Sequence, residues 1–157
     1  MRCFFKVFVA LCLALTVSAC SKPTAWASDE DLAKVQYRDA GPTKLTLFTM
    51  INNRSGVGAH TSLMISASQR VIWDPAGSFY HPSIPERNDV LFGISPRVAD
   101  VYTRYHARET FHVIVQELEV SPDVAEKALQ LALARGNVGD AQCALSTSGI
   151  LSQLSGL

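Results

Sequence analysis

The sequence has no excess of charge of either sign, with 14 lysine and arginine residues against 14 aspartate and glutamate residues in a chain of 157. A surface that binds nucleic acid needs clustered positive charge, so this balance argues against a nucleic-acid partner. The chain also lacks the composition of a disordered protein, because 48% of its residues are hydrophobic and only 18% are charged. A globular domain takes about 100 to 200 residues, so the sequence predicts one domain at most.

The N-terminal segment lacks an apolar run long enough to span a membrane. Residues 7–17 (VFVALCLALTV) are almost wholly apolar and follow the basic residues Arg2 and Lys6. This run is shorter than the roughly 20 residues of a membrane-spanning helix, and a short apolar run behind basic residues is typical of a signal peptide. Residues 1–19 are therefore predicted to be a signal peptide. A membrane anchor followed by an incidental cysteine is the alternative interpretation.

The predicted signal peptide ends in Val17-Ser18-Ala19-Cys20, which resembles the lipobox of bacterial lipoproteins. The resemblance implies that the chain is cut before Cys20 and that this cysteine carries a lipid such as palmitate, which attaches the protein to a membrane. The residue after Cys20 is Ser21 and not Asp. In bacterial lipoproteins an Asp at this position directs a different sorting, so Ser21 implies transfer to the outer membrane. The expected location is the bacterial cell envelope, with the protein lipid-anchored and facing the periplasm.

Cysteine is scarce in the rest of the chain. Cys3 and Cys12 would leave with the signal peptide and Cys20 would carry lipid, so Cys143 is left as the one free thiol. Proteins outside the cytoplasm usually pair their cysteines or do without them, and an unpaired thiol there suggests a chemical role. The alternative is that Cys143 is buried and packs as a small apolar residue.

Strand patterns dominate the first half of the expected domain, residues 44–157. Residues 20–43 are polar and without sustained periodicity, and they are expected to form a tether with one short helical turn around residues 29–35. Alternation and β-branched residues predict four strands, of which the second and third form a hairpin. The predicted strands are residues 44–51, 60–66, 70–74 and 111–120. Residues 75–94 contain three prolines and are predicted to be an irregular loop.

Three helices are predicted in the second half. Ser-Pro pairs at 95–96 and 121–122 predict two helix starts, each with a capping serine and a proline at the first helical position. Gly136 predicts the end of the second of these helices, and residues 141–154 predict a third. The pattern as a whole indicates an α+β domain with at least four strands and three helices.

Cys143 falls in the first turn of the last predicted helix. The helix dipole and the unpaired backbone N–H groups at such a position stabilise a thiolate, and the same N–H groups can stabilise an oxyanion. A cysteine nucleophile also needs an imidazole and a group that orients it. In the predicted hairpin, positions whose numbers sum to about 134 to 136 lie opposite each other, so His60 and Asp74 fall directly or diagonally across from one another.

The segments GAHTSLMI, VIWDPAG, HVIVQELEVSPDVAEKAL and AQCALSTSGIL, in this order, resemble the circularly permuted papain-fold hydrolases. This group is related to NlpC-type cell-wall amidases and to lecithin:retinol acyltransferase-like proteins. The likeness covers residues 44–154 and implies an antiparallel sheet packed against helices. It further implies that Cys143 is the nucleophile, His60 the base and Asp74 the third catalytic residue. Members often have Asn directly before the cysteine, whereas this chain has Gln142, whose amide can also donate to an oxyanion.

The resemblance and the lipid anchor together imply a thiol hydrolase, an amidase or peptidase, that acts on peptides of the cell wall. One alternative is a catalytically silent envelope-binding or assembly lipoprotein on the same fold. Another is an acyltransferase or thioesterase, which should have an apolar groove beside Cys143.

No metal or cofactor is expected, because the sequence has no H-E-x-x-H segment and no paired-cysteine spacing. The three other histidines, His81, His106 and His112, are predicted to be surface or packing residues. A zinc site that combines them with His60 is the alternative.

Overall fold

The computed structural model describes residues 26–156, so the predicted signal peptide and Cys20 lie outside the described residues. The described chain contains one six-stranded sheet and four helices. Every pair of neighbouring strands is antiparallel, which confirms the prediction of an α+β domain with an antiparallel sheet. None of the helices in this part of the chain is long and apolar enough to cross a membrane.

The sheet has the strand order β4-β5-β3-β2-β1-β6. The strands are β1 Lys44–Asn52, β2 Gly58–Ser66, β3 Arg70–Trp73, β4 Glu86–Arg87, β5 Val90–Leu91 and β6 Phe111–Glu119. The first three and the last follow the sequence prediction closely. β4 and β5 lie inside the predicted loop 75–94, and each is too short to show a hydrophobic alternation that sequence reasoning could detect.

The four helices are α1 Asp29–Val35, α2 Pro96–His106, α3 Pro122–Arg135 and α4 Cys143–Leu151. The predicted starts of α2 and α3 are confirmed, because the hydroxyls of Ser95 and Ser121 accept hydrogen bonds from backbone N–H groups in the first turn. α4 begins two residues later than predicted. Ala141 has a φ of 63°, in the left-handed region, and so cannot belong to a right-handed helix.

Helices cover both faces of the sheet. On one face, apolar side chains of β2 and β3, such as Leu63 and Trp73, pack with α3 and α4. On the opposite face, Met64 and Ile72 pack with Tyr102 of α2. Successive residues of a strand point to opposite faces, so β2 and β3 can be apolar on both sides only because both sides are covered.

The residues before β1 contact the domain from Trp26 onward. The Arg87 side chain donates to the carbonyl of Ala27, and the Arg70 backbone N–H donates to the carbonyl of Tyr37 at 2.7 Å. The Arg70 guanidinium also forms an ion pair with Asp39. The part of the expected tether that the structure describes therefore lies against the sheet edge formed by β3, β4 and β5.

Candidate active site

Three elements bring the predicted site residues together. His60 lies near the start of β2, Asp74 directly follows β3, and Cys143 is the first residue of α4. In the hairpin, Leu63 pairs with Trp73, so the next pair along the ladder would join Ser62 to Asp74. Asp74 is therefore diagonal to His60, as the hairpin prediction allowed. α4 packs against β2, which brings Cys143 to the same end of that strand.

His60 and Asp74 form a direct hydrogen bond. Nε2 of His60 lies 2.7 Å from Oδ1 of Asp74, whose side chain is only 4% exposed. Burial alone would lower the pKa of His60, but the hydrogen bond to the Asp74 carboxylate and the attraction of its charge raise the pKa above the ordinary value. Because Nε2 is turned to Asp74, Nδ1 is the nitrogen left to exchange a proton with Cys143.

The Cys143 thiol is partly buried and hydrogen bonds to His60. Burial by itself raises the pKa of this thiol, but hydrogen bonds from the Thr61 backbone N–H and from the His60 ring lower it to below its ordinary value. The backbone N–H of Ala144, in the first turn of α4, adds to this lowering. The shifts of the thiol and the imidazole both favour a thiolate–imidazolium pair.

Asp74 is held by a second partner that sequence reasoning missed. The phenol of Tyr102, from α2, donates to Oδ1 of Asp74 at 2.6 Å and lies 2.6 Å from the hydroxyl of Ser62. The Tyr102 side chain is fully buried. Its burial, and then the neighbouring charge of Asp74, raise the pKa of Tyr102 well above the usual value, so the phenol stays protonated. The sequence marks Tyr102 only as a residue of the helix that is predicted to begin at Ser95-Pro96.

Gly77 gives the Asp74 carboxylate its space. A Cβ atom at residue 77 would lie 1.8 Å from Oδ2 of Asp74, far closer than any real contact. The backbone N–H of Gly77 also donates to the main-chain carbonyl of Asp74 at 2.9 Å. The turn after β3 therefore wraps closely around the carboxylate, and a residue with a side chain cannot occupy this position without moving Asp74.

Asp89 ties together the two loops that carry Asp74 and Cys143. Its Oδ2 accepts from the backbone N–H of Ala76, at 3.2 Å, and from the backbone N–H of Val138, at 2.8 Å. Ala76 has a φ of 56°, so this turn is held in the left-handed region. The carboxylate of Asp89 thus fixes the turn after β3 against the segment that leads into α4.

His106, the last residue of α2, lies beside the site and not at the surface. Its ring stacks on that of His60 with 5.9 Å between ring centroids, and its Nδ1 lies 3.0 Å from the carbonyl oxygen of Tyr102. Burial lowers the pKa of His106, which favours the neutral ring. The prediction of a packing role is consistent with this burial, but nothing in the sequence indicates that the packing partner is His60.

Gln142 is the residue before α4 and is exposed to solvent. Its side chain makes no hydrogen bond to the helix that it precedes, and its amide nitrogen lies on the side of Gly139. The groups that contact the Cys143 sulfur are instead the His60 ring and the backbone N–H groups of Thr61 and Ala144. A role for the Gln142 amide at an oxyanion stays a prediction.

The two remaining histidines lie apart from these residues. Nδ1 of His112, on β6, is 2.6 Å from Oδ1 of Asn53. Nδ1 of His81 accepts from the backbone N–H of Ser83 in the loop before β4. Both side chains belong to exposed residues, which is one of the two roles, surface or packing, that the sequence predicted for them.

A cleft of about 260 Å³ opens beside His60. Its walls are formed by the start of β2, the turn after β3, the end of α2 and the start of β6. The lining residues are Met50, Ala59, His60, Ala76, Gly77, Ser78, His106, Arg108 and Phe111. A group bound in this cleft would lie against the imidazole of His60.

Three side chains of the candidate site could together hold a metal ion. Ligand atoms of His60, Asp74 and His106 all lie within 4.8 Å of one another, the only such set found among residues 26–156. Two histidines and one carboxylate suit zinc or another divalent transition metal. However, His60 and Asp74 already bind each other, so a metal would have to replace the proton that they share.

Comparison of the chain with known protein families, with curated proteins and with solved structures finds no match. The chemical interpretation of the site therefore depends on its own residues and their geometry.

Proposed function

We propose that this protein is a thiol hydrolase, an amidase or peptidase of the permuted papain-like type, anchored in the bacterial cell envelope and acting on cell-wall peptides. One observation carries the proposal: the Cys143 thiol, the His60 imidazole and the Asp74 carboxylate form a continuous hydrogen-bonded series. The antiparallel sheet, and the order of the histidine before the cysteine in the chain, support the permuted papain-like assignment.

The geometry supports a two-step reaction. The Cys143 thiolate attacks the carbonyl carbon of an amide, a C–S bond forms, and negative charge moves to the carbonyl oxygen. Backbone N–H groups at the start of α4 are placed to stabilise that charge. When the tetrahedral intermediate collapses, the C–N bond breaks and the His60 imidazolium gives its proton to the departing amine. The product of this step is a thioester on Cys143.

Hydrolysis of the thioester completes the cycle. Neutral His60 takes a proton from water, the resulting hydroxide adds to the thioester carbon, and the C–S bond breaks. A carboxylic acid is released, and the thiolate and the imidazolium are restored. Asp74 keeps the His60 ring in one orientation and stabilises its positive charge in both steps, as the buried carboxylate does in other triads.

The direct test is hydrolysis of muropeptides, or of a chromogenic ester, by the mature protein in detergent. We expect product from the wild-type chain and none from Cys143→Ala, because the nucleophile is lost. His112→Ala is the matched control and should keep full activity, since His112 contacts Asn53 on the other side of β1 and not the site. Equal turnover by the Cys143→Ala chain would overturn the proposal.

The envelope location is tested separately, through the resemblance of residues 17–20 to a lipobox. Cys20→Ser should abolish labelling by radioactive palmitate and leave the precursor uncleaved. Palmitate labelling that survives this change would contradict the lipoprotein assignment without affecting the thiol site. A stable, folded protein with no turnover on any amide or ester would favour the catalytically silent alternative.

A further inference from the structure

The cleft beside His60 carries positive charge and no carboxylate. Of its nine lining residues, Arg108 is the one with a permanent charge, and none is a carboxylate. The Asp74 side chain is only 4% exposed and does not line the cleft. A ligand in the cleft would therefore meet the guanidinium of Arg108, whereas any charge on His60 is balanced by Asp74 and Cys143.

Arg108 is held in place but has no acidic partner. Its guanidinium carbon lies 4.9 Å from the centroid of the Tyr105 ring, a cation–π distance. The Tyr105 hydroxyl in turn donates to the carbonyl of Ser78, in the cleft wall, at 3.0 Å. Among the described residues no carboxylate pairs with Arg108, whereas Arg104, one turn earlier, is bound to Asp100 at 2.8 Å.

The backbone around Arg108 is also fixed. The N–H of Phe111 donates to the Arg108 carbonyl at 2.9 Å, in a tight turn that joins α2 to β6. The contact with the Tyr105 ring restrains the Arg108 guanidinium, and its planar array of donors matches a carboxylate. Arg108 is therefore a suitable group for recognising a carboxylate on the substrate.

The position of the cleft indicates which part of the substrate lies there. His60 lines the cleft, whereas Cys143 does not. In the proposed reaction the acyl group is bonded to Cys143, and the departing amine must lie within reach of His60 to receive its proton. The amine side of the scissile bond consequently occupies the cleft, next to Arg108.

We infer that Arg108 binds a carboxylate on the amine side of the scissile bond, so that the preferred substrate is an amide whose leaving amine is an amino acid with a free carboxylate. The inference rests on the proposed function. The overall reaction consumes one water for each amide and gives the carboxylate of the acyl part and the ammonium form of the amino acid. The cleft volume of about 260 Å³ is below the usual range for drug-sized ligands and suits a small leaving group.

The test compares two alkylating reagents of similar size on the full mature protein in detergent. Iodoacetamide is neutral, so its rate reports the reactivity of Cys143 alone. Iodoacetate carries a carboxylate, so its rate also reports the positive charge of the cleft. We expect Arg108→Gln to lower the rate with iodoacetate about three- to tenfold at low salt and to leave the rate with iodoacetamide unchanged. Arg97→Gln, on the exposed first turn of α2, is the matched control and should change neither rate.

The two alkylation rates distinguish a failure of the carboxylate site at Arg108 from a failure of the proposed thiol site at Cys143. If Arg108→Gln leaves both rates unchanged, the carboxylate site is wrong and the thiol site stands. If Cys143 resists iodoacetamide in the wild-type protein, the proposed function fails and the inference fails with it.

A second measurement compares the turnover of muropeptides whose carboxyl groups are free with the turnover of muropeptides whose carboxyl groups are amidated. Amidation should reduce kcat/KM in the wild-type protein and have little effect in Arg108→Gln, and equal loss in both proteins would overturn the inference.

Discussion

Nε2 of His60 lies 2.7 Å from Oδ1 of Asp74, and this bond connects the start of one strand of a hairpin to the residue that follows the other. The carboxylate is buried, so water has little access to its bond with the imidazole. Its contribution to the proposed reaction is to orient the ring and to stabilise its charge.

Substitutions at these two residues should therefore have unequal effects. We expect His60→Ala to remove nearly all turnover, because His60 is the side chain that hydrogen bonds to Cys143 in the described part of the chain. Asp74→Asn should keep the fold and leave a residual rate, since loss of an orienting carboxylate costs at most about 10⁴ in rate in a comparable triad. The double variant should be little worse than His60→Ala. Steady-state kinetics on muropeptides measures all three, and an active His60→Ala protein would exclude His60 as the base.

The pH dependence of Cys143 alkylation tests the lowered pKa of the thiol. Because hydrogen bonds stabilise the thiolate, reaction with iodoacetamide should begin at a lower pH than for a free thiol, whose pKa is about 8.5. His60→Ala removes one of these stabilising contacts and should move the profile toward higher pH. A wild-type profile that rises only at alkaline pH would favour the alternative in which Cys143 is a packing residue.

Tyr102→Phe tests whether the Tyr102 hydroxyl supports the Asp74 carboxylate, apart from the packing of the ring in the core. The change removes the donor to Asp74 and leaves the buried Ser62 hydroxyl without its partner, so we expect a loss of about 1 to 3 kcal/mol in the free energy of unfolding. With one donor fewer, the Asp74 charge acts more fully on His60, and the pKa of His60 should rise. The readout is the pH profile of kcat/KM, together with denaturant unfolding. Tyr80→Phe, at an exposed residue, is the control, and an unchanged pH profile in Tyr102→Phe would contradict the role.

Gly77→Ala tests the space around the Asp74 carboxylate. Gly77 does not have a positive φ, so alanine fits its backbone, and the expected effect comes from the contact with Oδ2 alone. We expect turnover to fall to about the level of Asp74→Asn, as the carboxylate is pushed away from His60. Gly149→Ala, at an open position of α4, should keep activity and stabilise the helix by up to about 1 kcal/mol. Activity assays with thermal unfolding distinguish the two, and full activity in Gly77→Ala would show that Asp74 is not constrained in this way.

Added zinc should inhibit the proposed hydrolysis, because His60, Asp74 and His106 offer ligand atoms within 4.8 Å of one another. Zinc would displace the proton between His60 and Asp74, and EDTA should restore turnover. His106→Gln removes one ligand and should raise the zinc concentration needed for half-inhibition. If EDTA instead abolishes the activity of the purified protein, a metal takes part in the reaction and the thiol mechanism is wrong.

Short-range features of the molecule were predictable from the sequence. Ser95 and Ser121 cap helices because each hydroxyl reaches a backbone N–H only three residues ahead. The short connection between β2 and β3 limits the register of their hairpin to one or two alternatives, so the sequence alone predicts that His60 and Asp74 lie close together. In each of these cases the interacting groups are close in the chain, and few arrangements are sterically allowed.

Tertiary packing decided the rest of the site. Tyr102 reaches Asp74 across 28 residues, and His106 stacks on His60 across 46, because α2 crosses one face of the sheet. The Thr61 backbone N–H contacts the Cys143 sulfur only because α4 packs against β2 from the opposite side. The sequence marks Tyr102 and His106 merely as residues on a helix, since hydrophobic periodicity gives the buried face but not the groups that this face meets. The partners were fixed when burial of both sheet faces brought α2 and α4 to the same end of β2.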